Sequence, residues 1–108
     1  MGINAFSKTG NTVTFTAASS PPTPVQCGSS TLGGNQYRII NSGTTVVFLG
    51  YGVDAANATA SAVAVTSSQP AFPLLPGTDE ILTFVPNAYF TGYSTTTATI
   101  YITPGDGV

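Results

Sequence analysis

The sequence predicts an all-β protein: a single β-sandwich of jelly-roll type spanning residues 1–108, with at most one short helix around 54–62. Three observations carry the prediction. Apolar and polar residues alternate with period two over short stretches. Clusters of Gly, Pro, Asn and Ser interrupt the chain every ~10 residues. Only one run has helical character, and at 108 residues the chain is long enough for one sandwich core and too short for two.

Taken in order, Thr12-Val13-Thr14-Phe15-Thr16 sets Val13 and Phe15 on one face and threonines on the other, the pattern of a half-buried strand. Turn residues Lys8 to Asn11 precede it, so a short strand around Ile3 to Ser7 is expected to fold back on it as a hairpin. Pro21, Pro22 and Pro24 remove backbone donors and mark an extended loop, followed by a brief strand at Val25 to Cys27 and a Gly/Ser-rich loop from Gly28 to Asn35. Gln36 to Asn41 is the next strand, with Tyr37 and Ile39 on one side, and Asn41-Ser42-Gly43 is a tight connection. Val46 to Leu49 is a continuous apolar run, expected of a strand buried on both faces. Asp54 is a suitable N-cap for the alanine-rich run to Ala62. Pro70, Pro73 and Pro76 make Phe72 to Leu75 an irregular edge strand. Glu80 to Val85 is a strand stopped by Pro86, and Tyr89-Phe90 starts another. In Thr97 to Thr103, Ile100 and Ile102 alternate against Thr99, Tyr101 and Thr103, and Pro104 to Gly107 reads as a terminal turn or tail.

Composition narrows the function. Only 6% of residues are charged, so the polar surface has to be built from Thr, Ser, Asn and Gly. Such a surface hydrates but repels weakly, and is expected to be covered in a homo-oligomer, a dimer in the first instance, or in a larger assembly. Two basic residues and a net charge of -2 argue against nucleic acid, whose phosphates require clustered Lys and Arg. No apolar stretch approaches the ~20 residues of a membrane helix, and no secretory or myristoylation signal is expected from the residues around Gly2 to Phe6. Cys27 is the single cysteine, which fits a reducing compartment and reads as a small buried apolar residue rather than a reactive thiol.

Catalytic and ligand motifs fail on chemistry. Without histidine, the commonest general base and metal ligand is missing, so neither a zinc site nor a Cys/His nucleophile is expected, and the reading is of a non-enzyme without a cofactor. Asp79 and Glu80 are adjacent on a strand and point to opposite faces, so they cannot flank one glycosidic bond. Asp79 and Asp106 lack the closely spaced acids of a calcium loop. Gly50 to Ala55 matches G-x-G-x-x-A after a strand and before a helix, but the helix is too short for a βαβ crossover and no acid follows near twenty residues on. Those glycines read instead as permitting a bend at a strand end. The sequon at Asn57 is taken as chance.

The candidate protein-contact residues are Tyr89 and Tyr93, in an aromatic cluster next to a turn, Tyr51, placed in another turn, and Arg38, Asp79 and Glu80, with Arg38 expected to pair with Asp79 or Glu80. The same tyrosines could alternatively form a sugar-stacking platform, with Phe90 read as core. Over whole segments, Phe6 to Ala17, Tyr37 to Asn41, Val47 to Gly52 and Tyr101 to Gly107, the chain resembles the small capsid decoration or cement proteins of tailed bacteriophages, particularly the jelly-roll cement proteins of short-tailed phages like those infecting Bordetella. The resemblance implies a dimeric jelly-roll subunit, made in the host cytoplasm, that sits on the exterior of the virion and ties neighbouring major capsid proteins together. It transfers no individual binding residue. The alternative in the same setting is a carbohydrate- or receptor-binding sandwich of a tail fibre or spike.

Overall fold

A computed structural model describes residues 7–28 and 36–106. The order of elements is β1 (Ser7–Lys8), β2 (Val13–Ala17), β3 (Val25–Gln26), β4 (Gln36–Asn41), β5 (Val47–Gly52), α1 (Ala55–Ser61), β6 (Phe72–Leu74), β7 (Asp79–Thr83), β8 (Tyr89–Tyr93) and β9 (Ala98–Asp106). Sheet A runs β1/β2–β9–β4–β7, and sheet B runs β3–β8–β5–β6. All the strand pairings are antiparallel. Taken as one position, β1/β2 pairs with the last strand, β3 with the next to last, β4 with β7, and β5 with β6. This nesting of outer pairs around inner ones, divided between two facing sheets, is the jelly roll.

Alternation places the core. Phe15, Ala17, Tyr37, Ile39, Ile100 and Ile102 point inward from sheet A, and meet Val47, Leu49, Leu74 and Phe90 of sheet B in one buried cluster that includes Cys27. The rings of Tyr37 and Phe90 meet edge-on with centroids 4.9 Å apart. Tyr37 reaches beyond the core: its hydroxyl donates to the carbonyl of Val85 and accepts from the N–H of Ala88 at 3.1 Å, tying down the β7–β8 turn. At the other end of β4, buried Asn41 donates from Nδ2 to the carbonyls of Thr45 and Leu74, both at 3.0 Å, and its Oδ1 accepts from Gly43. One amide thus satisfies the backbone of the tight β4–β5 turn and of edge strand β6.

Three local expectations are corrected. Val13–Ala17 is not half of a hairpin: Ser7 faces Asp106, Lys8 faces Gly105 and Val13 faces Ile102, so β1 and β2 lie end to end along one edge of β9. The rest of the strand expected from Ile3 lies outside the described residues, as does most of the loop before β4. Between the two pieces, residues 9–12 stand opposite 103–104, a bulge with two extra residues.

That bulge explains the second correction. Pro104, Gly105 and Asp106 form no terminal turn but extend β9, and Pro104 is buried between neighbouring strands. Its carbonyl accepts from Thr9 at 2.9 Å, which shows that the side of Pro104 where an N–H would point is the side of the bulge. The missing donor therefore falls where the ladder is already interrupted.

The third concerns β5. Val47 and Leu49 face the core, but Phe48 faces outward and is half-buried; what covers the far end of this strand is α1, seated over Gly50 and Gly52. A Cβ on Gly50 would stand 2.4 Å from the carbonyl oxygen of Ala58, and one on Gly52 would stand 2.6 Å from the Cβ of Asn57. The glycines neither bend the strand end nor cradle a phosphate; they clear ground for a helix. The Asp54 carboxylate caps it by accepting from the N–H of Asn57 at 2.8 Å, and Ala58 is its buried residue. Seven residues are too few to hold a helix alone, so this seat maintains it.

Candidate functional site

The two sheets turn different outer faces to solvent. On sheet B, α1 lies over Gly50 and Gly52, and the proline-rich segment reaches Thr91, whose hydroxyl donates to the carbonyl of Pro22 at 2.7 Å. Sheet A has no such cover among the described residues.

Cross-strand register assembles that bare face. One row runs Thr14, Tyr101, Ile40 and Asp79; the next runs Thr103, Arg38 and Ile81. Thr16 and Thr99 flank them on one side, Gln36 and Thr83 on the other. Tyr101 and Ile81 are each 42% exposed. Threonine hydroxyls bond within the face, Thr12 with Thr103 at 2.7 Å and Thr14 to the carbonyl of Ile100 at 2.9 Å. These bonds lessen the demand for water at a surface of methyl groups and satisfied hydroxyls.

Its central charges cancel. Arg38 Nε donates to Asp79 Oδ2 at 3.0 Å and Nη2 donates to the same oxygen. The hydrogen bonds from Arg38 hold the Asp79 carboxyl below its ordinary range, and the Asp79 carboxylate raises the guanidinium in turn. Both side chains are about half exposed, so the pair adds little to stability; its effect is to leave a nearly neutral face. Among the described side chains of this face, Lys8, in register with Gly105, carries the remaining charge at one corner.

The six residues singled out from sequence fall in four places. Arg38 and Asp79 are on the bare face and paired as expected. Glu80 is in register with inward-facing Ile39, hence on the inner side of edge strand β7 and opposite in direction to Asp79. Tyr89 and Tyr93 flank outward-facing Thr91 on sheet B and are half-buried; the Tyr93 ring lies 6.2 Å from that of Phe48. Tyr51 is not in a turn. It is inside β5 and faces inward, its ring 4.8 Å from Phe84 and 6.3 Å from Phe90. Phe90 is core.

Tyr101, Ile40 and Ile81 were not picked out as contact residues. The signal was present, since Tyr101 falls on the polar side of an alternating strand, but its neighbours come from strands that only the strand order brings together.

The interior offers one further reactive group, Cys27, fully buried with its thiol 3.7 Å from the carbonyl of Ile102; burial pushes it up to about 12. It is poorly placed to act as a nucleophile. Among the described residues, no three His, Cys, Asp or Glu side chains gather to hold a metal ion, and no helix is long and apolar enough to cross a membrane. No family model matches the chain, and neither a curated protein nor a solved structure matching it was found.

Proposed function

We propose that this chain is a structural protein of a virion: a decoration or cement protein on the exterior of a phage capsid that bridges neighbouring major capsid proteins and stabilises the shell. The observation that carries the reading is the bare outer face of sheet A, a nearly neutral surface of threonines around exposed Tyr101 and Ile81. A subunit on a repeating lattice makes many weak contacts at once, so a modest, lightly charged surface suffices. A free monomer with so few charges would be weakly protected against association. The proposal assigns the chain no reaction, no cofactor and no nucleic-acid partner. The segment-level resemblance supplies the choice of a capsid among possible assemblies.

Purified protein mixed with undecorated shells should bind in fixed stoichiometry and raise the temperature at which they disrupt. Tyr101→Lys combined with Ile81→Lys should abolish binding while the protein stays folded. Absence of wild-type binding to shells would sink the proposal.

The placement of the three tyrosines does not support the glycan-binding alternative. Tyr51 packs inward, and Tyr89 and Tyr93 are four residues apart on one strand, about 13 Å, with buried Thr91 between them.

A further inference from the structure

A jelly roll leaves four strand edges open, two for each sheet, and the edges of this one differ in how they are protected. Edge strand β6 has three residues with Pro73 in the middle. Edge strand β3 has two and directly follows Pro24. Edge strand β7 begins Asp79-Glu80, with Glu80 on the inward-facing side, where an added strand would bring apolar side chains. Short length, proline and inward charge are the usual means of blocking strand addition.

Strand β2 has none of them. It is Val13-Thr14-Phe15-Thr16-Ala17, five residues without charge, proline or glycine. One edge pairs with β9; on the other, the next residue, Ala18, bridges in parallel to Tyr93 and accepts from the N–H of Ser94 at 3.1 Å, while among the described residues no backbone group bonds to Val13–Ala17 themselves. In an antiparallel ladder, alternate residues turn both N–H and C=O outward, so this edge presents a directional array that fits another extended strand.

We propose that two copies of this chain associate edge to edge through β2, antiparallel about a two-fold axis beside Phe15, so that their two A sheets become one continuous sheet. The segment is self-complementary in that register. Thr14 of one copy falls opposite Thr16 of the other on the outer face, where threonine pairs are favourable. Val13 falls opposite Ala17 on the inner face, large against small, and no charges meet. A two-fold makes both halves of the contact identical and closes the assembly at a dimer. The bulge at residues 9–12 limits the pairing to this segment. The inference does not rest on the capsid reading.

Light scattering on the full chain from roughly 1 μM to 1 mM covers the range expected of so small a contact. The wild type should move from monomer to dimer. Thr14→Lys with Thr16→Lys sets like charges opposite each other twice and should weaken the dimer by at least about tenfold. Thr14→Lys with Thr16→Glu sets opposite charges in the same two places and should retain it. Thr83→Lys, on the other edge of sheet A, should change nothing. Amide exchange of the wild type reads the same contact without substitution: alternate amides of β2 should exchange more slowly as concentration rises. A protein monomeric throughout, a dimer indifferent to the lysine pair, or β2 amides insensitive to concentration would each overturn the proposal.

Discussion

The outer faces of the two sheets begin from similar strands and end in opposite conditions. On sheet B, Gly50 and Gly52 remove side chains from the path of α1, and the Thr91 hydroxyl donates to the Pro22 carbonyl, so the face is largely spent on internal packing. On sheet A, Thr14, Thr103, Tyr101, Arg38 and Ile81 keep their side chains and no described element covers them. What separates a structural face from a face available to partners is here the presence or absence of a Cβ at two positions.

That contrast is broken most severely at Gly50. Gly50→Val would drive side-chain atoms into the backbone of Ala58 and Ala62, and should destabilise by about 3 kcal/mol in denaturant unfolding, with loss of helical signal before the sheets melt. A protein that tolerates Gly50→Val would mean α1 is not seated as described.

The interior between the sheets supplies the next test, through Cys27. The unfolded thiol ionises near ~8.5, whereas in the native protein it is pushed up to about 12 by burial. Between those values the unfolded chain has lost a proton that the native one keeps. Stability should therefore fall as pH rises above the unfolded value, by on the order of 2 kcal/mol at pH 10. Cys27→Ala should flatten this limb, leaving the part at still higher pH to Tyr37, whose hydroxyl burial also raises. Equal alkaline slopes for the two proteins would show that the thiol is not buried as placed.

On the bare face the effects should be small. Tyr101→Ser removes an exposed ring and should alter stability by less than about 0.5 kcal/mol, while weakening attachment to shells if that face makes the contact. A large loss of stability would place Tyr101 in packing and erase the distinction between the faces.

The smallest effect belongs to the exposed ion pair. Asp79 is held below its ordinary range by Arg38, so its contribution is present above the unfolded value of ~3.9 and is lost as pH falls through the native one. Thermal unfolding of the wild type and of Asp79→Asn should differ barely at pH 7, and the curves should merge in acid. A gap that widens in acid would contradict the pairing.

Local patterns marked most strands to within a residue or two, because a sandwich face imposes period two on any strand that lies on it. Thr12 to Thr16, Gln36 to Asn41 and Thr97 to Thr103 each declared which residues were core. The Asp54 cap and alanine run located the helix, since capping is a contact between near neighbours. Fold class, jelly-roll type and the pairing of Arg38 with one of Asp79 and Glu80 were all within reach of such reasoning, the last because the chain has so few charges to choose from; register then chose Asp79.

What sequence alone determined was therefore the periodic part: a nearly uncharged chain of short strands, one core, and which side chains of each strand turn inward. Tertiary structure decided everything that depends on a neighbour distant in sequence. Pro104 can sit inside a sheet only because the bulge at residues 9–12 lies against it. Gly50 and Gly52 acquire their role from a helix folded back over them, and Tyr51 is inward because β5 continues past the turn assigned to it. The open edge of β2 and the row joining Thr14 to Asp79 exist only once four separate strands lie side by side. The physical reason is that alternation is a property of a single strand, whereas close approach, missing hydrogen-bond donors and exposed faces are properties of pairs.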